Sequence, residues 1–83
     1  MESLDTLKSK TVSIESGRIE YKLLRLHIND ETFYLVFLAF RGESRVCTLD
    51  SKQRAAAEKI FNSLIKTRST PLSLSDSIYE LQK

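Results

Sequence analysis

The sequence predicts an α+β fold: a four-stranded antiparallel meander, then one amphipathic helix packed on the sheet, then a short C-terminal helix. Residues 32–40, TFYLVFLAF, are rich in aromatic and β-branched side chains and too few to cross a bilayer. They therefore predict a central strand that is apolar on both faces. Turn signals flank this run, at Asn29 with Asp30 and at Arg41 with Gly42. A helical pattern of apolar residues follows the last strand.

The N-terminal region is predicted to contain a short strand preceded by an arm. Residues 1–10 contain two leucines among polar side chains and fit either a frayed helical turn or a flexible arm. We therefore expect a single α+β domain over residues 11–83. The apolar pattern changes to period two from Thr11, which predicts the first strand, and Ser16 with Gly17 suits the tight turn that ends it.

The second strand is predicted over residues 18–28, and its apolar alternation slips by one residue at Leu23 and Leu24. Such a slip would turn half of the apolar side chains to the wrong face unless an extra residue is absorbed. We therefore predict a β-bulge at that pair. A fourth strand is predicted over residues 43–49, after the second turn.

Counting cross-strand pairs outward from the turns divides the apolar side chains of the sheet between two faces. The counted pairs are Leu26 with Phe33, Leu24 with Leu35, Tyr21 with Phe37, Ile19 with Ala39, Phe37 with Val46, Ile14 with Ile19, and Val12 with Tyr21. The predicted core face contains Val12, Ile14, Ile19, Tyr21, Leu24, Leu26, Phe33, Leu35, Phe37 and Val46. The other face mixes apolar and basic side chains: Tyr34, Val36, Leu38, Phe40, Cys47, Leu49, Lys22, Arg25, His27 and Arg45.

One helix is predicted to cover the core face. Asp50 with Gln53 fits a capping box, and the helix is expected to run to Lys66 or Thr67. Its apolar residues form one stripe: Ala57, Ile60, Phe61, Leu64 and Ile65. A last short helix, too short to be stable alone, is predicted to dock through Leu74, Ile78 and Leu81, either on this domain or on a neighbour.

The C-terminal segment TPLSLSDSIYELQ contains a P-x-x-L-x-D-x-I-x-x-L pattern, formed by Pro71, Leu74, Asp76, Ile78 and Leu81. This pattern resembles the C-terminal signature of a small family of uncharacterised proteins, a domain of unknown function found in clostridia and related spore-forming bacteria. The similar plan, a strand-rich half followed by an amphipathic helix, covers most of residues 18–82. The resemblance implies a bacterial cytoplasmic setting and no known activity, and it carries over no catalytic residues.

Composition favours a cytoplasmic protein. The single cysteine cannot form an intrachain disulfide, which suits a reducing compartment, and residues 1–10 lack the apolar core of a secretion signal. A net charge of +2 supplies little attraction to nucleic acids, and no membrane partner is expected.

The side-chain chemistry argues against an enzyme, a metal site or a cofactor. His27 has no metal-ligating neighbours at a suitable spacing, and Cys47 lies mid-strand, where a structural role is favoured over a nucleophilic one. Gly17 and Gly42 both belong to turns, so no phosphate-binding loop is present. We therefore expect no catalytic activity and no cofactor.

The preferred function is a small protein-interaction or regulatory module, because the mixed face has no equally clear covering element. Its partner is expected to be another protein or a second copy, bound through a sheet face or the C-terminal helix. The predicted partner-binding residues are Tyr34, Val36, Leu38, Phe40, Arg25 and Arg45. The alternative is single-stranded nucleic-acid binding, with aromatic side chains stacking on bases and basic ones holding phosphates. The stacking residues would be Tyr34 and Phe40, and the phosphate-binding residues Lys22, Arg25 and Arg45.

Overall fold

The structure is a computed structural model that describes residues 2–50 and 52–74. Four antiparallel strands in the order β1–β2–β3–β4 form one sheet, and a helix packs on one of its faces. The elements are β1 (Ser3–Ile14), β2 (Gly17–Ile28), β3 (Glu31–Phe40), β4 (Glu43–Thr48), helix α1 (Arg54–Thr67) and a 3₁₀ turn (Pro71–Ser73). The predicted meander and its helix are therefore confirmed.

Both turns that flank β3 contain two residues in the left-handed backbone region. The φ angles are 49° at Asn29 and 68° at Asp30. In the second turn they are 51° at Arg41 and 81° at Gly42. Positive φ at both positions is the type I′ geometry, whose twist matches that of the flanking strands, so it fixes the register. Three counted pairs are confirmed: Leu26 with Phe33, Leu24 with Leu35, and Phe37 with Val46.

β1 is longer than predicted. Residues 3–10, expected as an arm, pair with β2 from Ser3 onward. Residues 3–10 were not predicted as strand because β1 lies at the sheet edge. Most of its side chains there face solvent, which removes the period-two pattern. Its turn falls at Glu15 and Ser16, so β2 begins at Gly17. Two counted pairs across this hairpin are wrong, since Ile14 pairs with Gly17 and Val12 with Ile19.

A register shift lies in β1 rather than in β2. Leu7 is the extra residue, between Thr6 and Lys8, and it lies opposite the Leu23 and Leu24 pair. β2 itself pairs with β3 without interruption, so its side chains alternate strictly between the two faces. The slip in the apolar pattern therefore reflects a strand that is apolar first on one face and then on the other.

Strict alternation reverses the predicted faces for β3, β4 and the second half of β2. The predicted core positions of Val12, Ile14, Ile19 and Tyr21 are confirmed. Helix α1 covers what we call the inner face, whose buried strand and loop residues are Ile19, Tyr21, Leu23, Tyr34, Val36, Leu38 and Leu49. The opposite, outer face carries six of the predicted core residues: Leu24, Leu26, Phe33, Leu35, Phe37 and Val46. The counted pairs beyond the supposed bulge are wrong by one residue, since Tyr21 pairs with Leu38 and Ile19 with Phe40.

In the middle rows of β2 the inner face is apolar and the outer face is charged. In the middle rows of the sheet, β2 directs Ile19, Tyr21 and Leu23 inward, all of them 0% exposed. In the same rows it directs Glu20 and Lys22 outward. A helix packed there would have to desolvate two charged groups. The buried helix residues are Ala57, Ile60, Phe61 and Leu64, which confirms the predicted stripe, with Ile65 partly buried beside them.

Helix α1 begins later than predicted and ends where it was predicted to end. The N-cap position is occupied by Gln53 in an extended conformation, and not by Asp50, so the predicted capping box does not form. The helix ends at Thr67, as predicted, and Arg68 follows in a left-handed conformation with φ 54°. Such a residue commonly closes a helix because it turns the chain away from the axis.

Tyr21 connects the segment after α1 to the sheet through a hydrogen bond. Its side chain is fully buried, and its hydroxyl donates a hydrogen bond to the backbone oxygen of Ser69 at 2.9 Å. Burial raises the pKa of Tyr21 because the phenolate would lose its hydration, and the nearby Arg68 charge opposes this rise in part. The bond therefore links β2 to the start of the C-terminal segment.

The last predicted helix lies mostly outside the described residues. Leu74 is 1% exposed and belongs to the core of this domain. Ile78 and Leu81, the other two residues of its predicted stripe, lie outside the described part of the chain.

Replacing Leu38 by alanine tests the placement of α1 over the inner face. Because Leu38 is 0% exposed, the variant should lose about 2–5 kcal/mol of unfolding free energy, measured by urea denaturation. Leu72→Ala is the matched control, since Leu72 is 75% exposed, and it should change stability by no more than about 0.5 kcal/mol. A Leu38→Ala variant as stable as the parent would contradict the burial of this face.

Tyr21→Phe removes the hydroxyl that bonds Ser69, and it should lower the unfolding free energy by about 0.5–1.5 kcal/mol near neutral pH. The folded state holds the phenol proton more tightly than the unfolded chain. The parent's extra stability is therefore complete below the ordinary pKa of 10.0 and decreases as the pH rises above it. Tyr21→Phe has no hydroxyl to titrate at this position, so its stability lacks this decrease. The difference in unfolding free energy between parent and variant, measured by urea denaturation, should therefore narrow at alkaline pH. A constant difference would contradict the assignment.

Candidate interaction surface

The outer face of the sheet carries a contiguous set of apolar side chains. Helix α1 lies on the opposite side, and no described helix packs on this one. Two members are largely exposed, Leu4 at 60% and Val46 at 54%. We call the set the outer patch, and it consists of Leu4, Leu24, Leu26, Ile28, Phe33, Leu35, Phe37 and Val46.

Cross-strand pairing makes the outer patch continuous across all four strands. Leu26 pairs with Leu4 on one side and with Phe33 on the other. Paired side chains on one face stand about 4.5–5.5 Å apart at Cβ, so they pack against each other and shield one another partly from water. The remaining rows are Leu24 with Leu35, and Phe37 with Val46.

Two lysines lie over the aromatic rings of the outer patch. The Lys22 Nζ is 5.7 Å from the centre of the Phe37 ring, and the Lys52 Nζ is 5.3 Å from the centre of the Phe33 ring. Both distances are within the range of a cation–π contact. Lys22 also forms an ion pair with Glu20, with 3.1 Å between Nζ and Oε1. The aromatic rings are therefore bordered by positive charge.

The charges on the outer face nearly cancel. The register directs four charged side chains of the strands to this face, two of them basic, Arg18 and Lys22, and two acidic, Glu20 and Glu31. Lys52, after β4, adds one positive charge at the border. The face therefore offers an apolar surface with a net charge close to zero.

All six predicted partner-binding residues lie on the inner face, and four of them pack in or against the core. Tyr34 is 6% exposed, and Val36 and Leu38 are 0% exposed. Phe40 is partly buried and packs against the same core. The prediction that these four side chains form an uncovered surface is wrong, because they pack in a core that α1 and the segment after it complete.

The structure does not bring the two predicted arginines together. Arg25 shares the inner face with Tyr34, and its Nη2 lies 3.0 Å from Oδ2 of Asp5 in an ion pair. Arg45 is exposed on the edge strand β4, opposite Leu38, with β3 between it and β2. The two positions are four residues apart along β3, about 13 Å, and two strands apart across the sheet.

His27 takes part in a local side-chain contact. Its Nδ1 lies 3.0 Å from Oγ1 of Thr32, its partner in the β2–β3 pairing. Across residues 2–50 and 52–74, no group of three or more His, Cys, Asp and Glu side chains is arranged to hold a metal ion. In the same part of the chain, no helix has the length and apolar character needed to span a membrane.

Cys47 is a half-buried thiol on the inner side of β4. Burial raises its pKa, and the nearby carboxylate of Asp50 raises it further. Its Sγ donates a long contact to the backbone oxygen of Thr48 at 3.8 Å. Because a protonated thiol is a poor nucleophile, these surroundings suit a packing role.

Comparison of the chain with protein-family models, with curated proteins and with solved structures finds no match. The resemblance of the C-terminal pattern to the clostridial family therefore stays a prediction. Most of that pattern, from Asp76 onward, lies outside the described residues.

Six of the eight residues of the outer patch, all except Leu4 and Ile28, were predicted from the sequence as core. A usable signal was present, since Leu23 and Leu24 are successive apolar residues in a strand that needs no bulge. Successive apolar residues in an unbroken strand must point to opposite faces, which indicates a sheet that is apolar on both sides.

Alkylation kinetics test the state of Cys47. The thiol should react slowly with iodoacetamide near neutral pH, and its rate should still be rising above pH 9.0, the ordinary pKa of a thiol. Asp50→Asn removes the carboxylate that raises this pKa, so the variant should react faster at the same pH. Mass spectrometry measures both rates. A rate that levels off below pH 9.0 would contradict the assignment.

Proposed function

We propose that this chain is a small, non-catalytic protein-interaction module whose contact surface is the outer patch. The observation that supports the proposal is a contiguous apolar surface with Leu4 and Val46 more than half exposed. A monomer rarely leaves such a surface in water, and larger exposed patches usually mark sites of interaction. A cytoplasmic location is part of the proposal, supported by the free thiol of Cys47.

The chemistry of the outer patch favours a protein partner. Its apolar side chains are mainly aliphatic, and aliphatic side chains gain free energy when an apolar surface covers them. The surrounding charges nearly cancel, so the face attracts neither a polyanion nor a strongly acidic or basic segment. A partner that presents its own flat apolar surface meets both conditions.

Single-stranded nucleic acid is the second candidate, and the two lysine–aromatic contacts favour it. Phe33 and Phe37 take the stacking role that was predicted for Tyr34 and Phe40, because the latter pack in the core. Lys22 already pairs with Glu20, which weakens its attraction for phosphate. We rank this candidate below the protein partner.

Photo-crosslinking from the outer patch tests the proposal. Val46 is replaced by p-benzoylphenylalanine in cells that express the full chain, and Asn62, exposed on α1, is replaced in a matched control. Irradiation should give protein adducts from position 46 and none from position 62, because only the first lies on the outer patch. Gel electrophoresis with protease and nuclease digestion identifies the adducts.

Each outcome of this experiment bears on the choice. Protease-sensitive adducts from position 46 alone support the protein-interaction module. Nuclease-sensitive adducts from position 46 support the second candidate against the first. Equal adducts from both positions, or none from position 46, contradict a role for the outer patch.

A further inference from the structure

We infer that the partner of the outer patch is a second copy of this chain, packed face to face about a two-fold axis. The inference rests on the proposed function and names the occupant of its surface. In such a dimer the same patch serves both copies, so a flat surface is sufficient and no complementary groove is required.

The area of the outer face fits this role. The strands contain 12, 12, 10 and 6 residues. At a rise of about 3.3 Å per residue and a spacing of about 4.8 Å, they cover roughly 600 Å² in projection. The accessible area of a surface studded with side chains exceeds its projection, which brings it near the roughly 800 Å² that each partner buries in a standard interface.

The charge pattern permits two copies to meet. Two basic and two acidic strand side chains balance on the outer face. With Lys52 each copy presents a net charge of only one on this side. Long-range repulsion between copies is therefore small, whereas a polyanion would gain little from the same face. Arg18, Glu20 and Lys22 lie along one half of β2, whereas Glu31 and Lys52 lie at the other half of the face.

The arrangement of sheet and helix in two layers is also compatible with a face-to-face dimer. The described residues form one sheet with a helix on one face. A second sheet can pack at about 10 Å on the face that no described helix covers, as aligned sheets do in sandwiches, and would give four layers with helices outside. Pairing through the β1 edge is disfavoured because Lys8 and Lys10 lie on that strand.

Sedimentation equilibrium of the purified full chain tests the inference. At about 100 µM, far above the Kd of a standard interface, the parent should have twice its chain mass of 9.5 kDa. Val46→Lys places a charge in the outer patch and should raise the dimer Kd by about tenfold or more. Leu72→Lys is the matched control, since Leu72 lies outside the sheet and is 75% exposed.

The control should leave the Kd within about twofold of the parent, the size of a typical surface substitution. Circular dichroism confirms that both variants fold, and both replaced side chains are already more than half exposed. A monomeric parent, a dimer unaffected by Val46→Lys, or an equal effect of Leu72→Lys would overturn the inference.

The two proposals fail in different ways. A monomeric parent together with specific adducts of another protein from position 46 would overturn the second-copy inference and leave the proposed function standing. A monomeric parent with no adducts from position 46 would overturn both. A position-46 adduct composed of two copies of the chain, together with a dimeric parent, supports both.

Discussion

The uninterrupted pairing of β2 with β3 is the constraint on which the rest of the structure depends. The type I′ turn at Asn29 and Asp30 sets the register, and alternation then decides which side chains share a face. The inward set makes the core beneath α1, and the outward set makes the outer patch. A register shifted by one residue would exchange the two sets. One short turn thus positions both the stabilising core and the candidate site.

Local patterns predicted the elements well. The two turns that flank β3, the meander and the apolar stripe of α1 could be read from the sequence because each depends on neighbouring residues. The first half of β1 was missed because an edge strand exposes most of its side chains, so residues 3–10 carry little apolar periodicity. The start of α1 was misplaced because the Asp50 signature matched a capping box, while the N-cap position is occupied by Gln53.

The candidate site was harder to predict, because the apolar pattern of a two-sided strand does not say which face the helix will cover. A bulge assumed at Leu23 and Leu24 merged both apolar sets onto one face. The structure has its extra residue at Leu7 of the neighbouring strand, which is too polar to reveal it. The charges of Glu20 and Lys22 lie on the face opposite to the helix, and a helix packed there would have to desolvate them. They could be assigned to that face only once the correct alternation of β2 was known.

The hydrogen bond from Tyr21 to Ser69 has a consequence for the order of folding. It joins residues 48 positions apart, from the second strand to the segment beyond the helix. Because closing a long loop costs entropy, we expect this bond to form late, after the intervening sheet and helix. Interactions made late govern how fast a protein unfolds and have little influence on how fast it folds. We therefore expect this buried hydroxyl to slow unfolding and so to lengthen the lifetime of the native state.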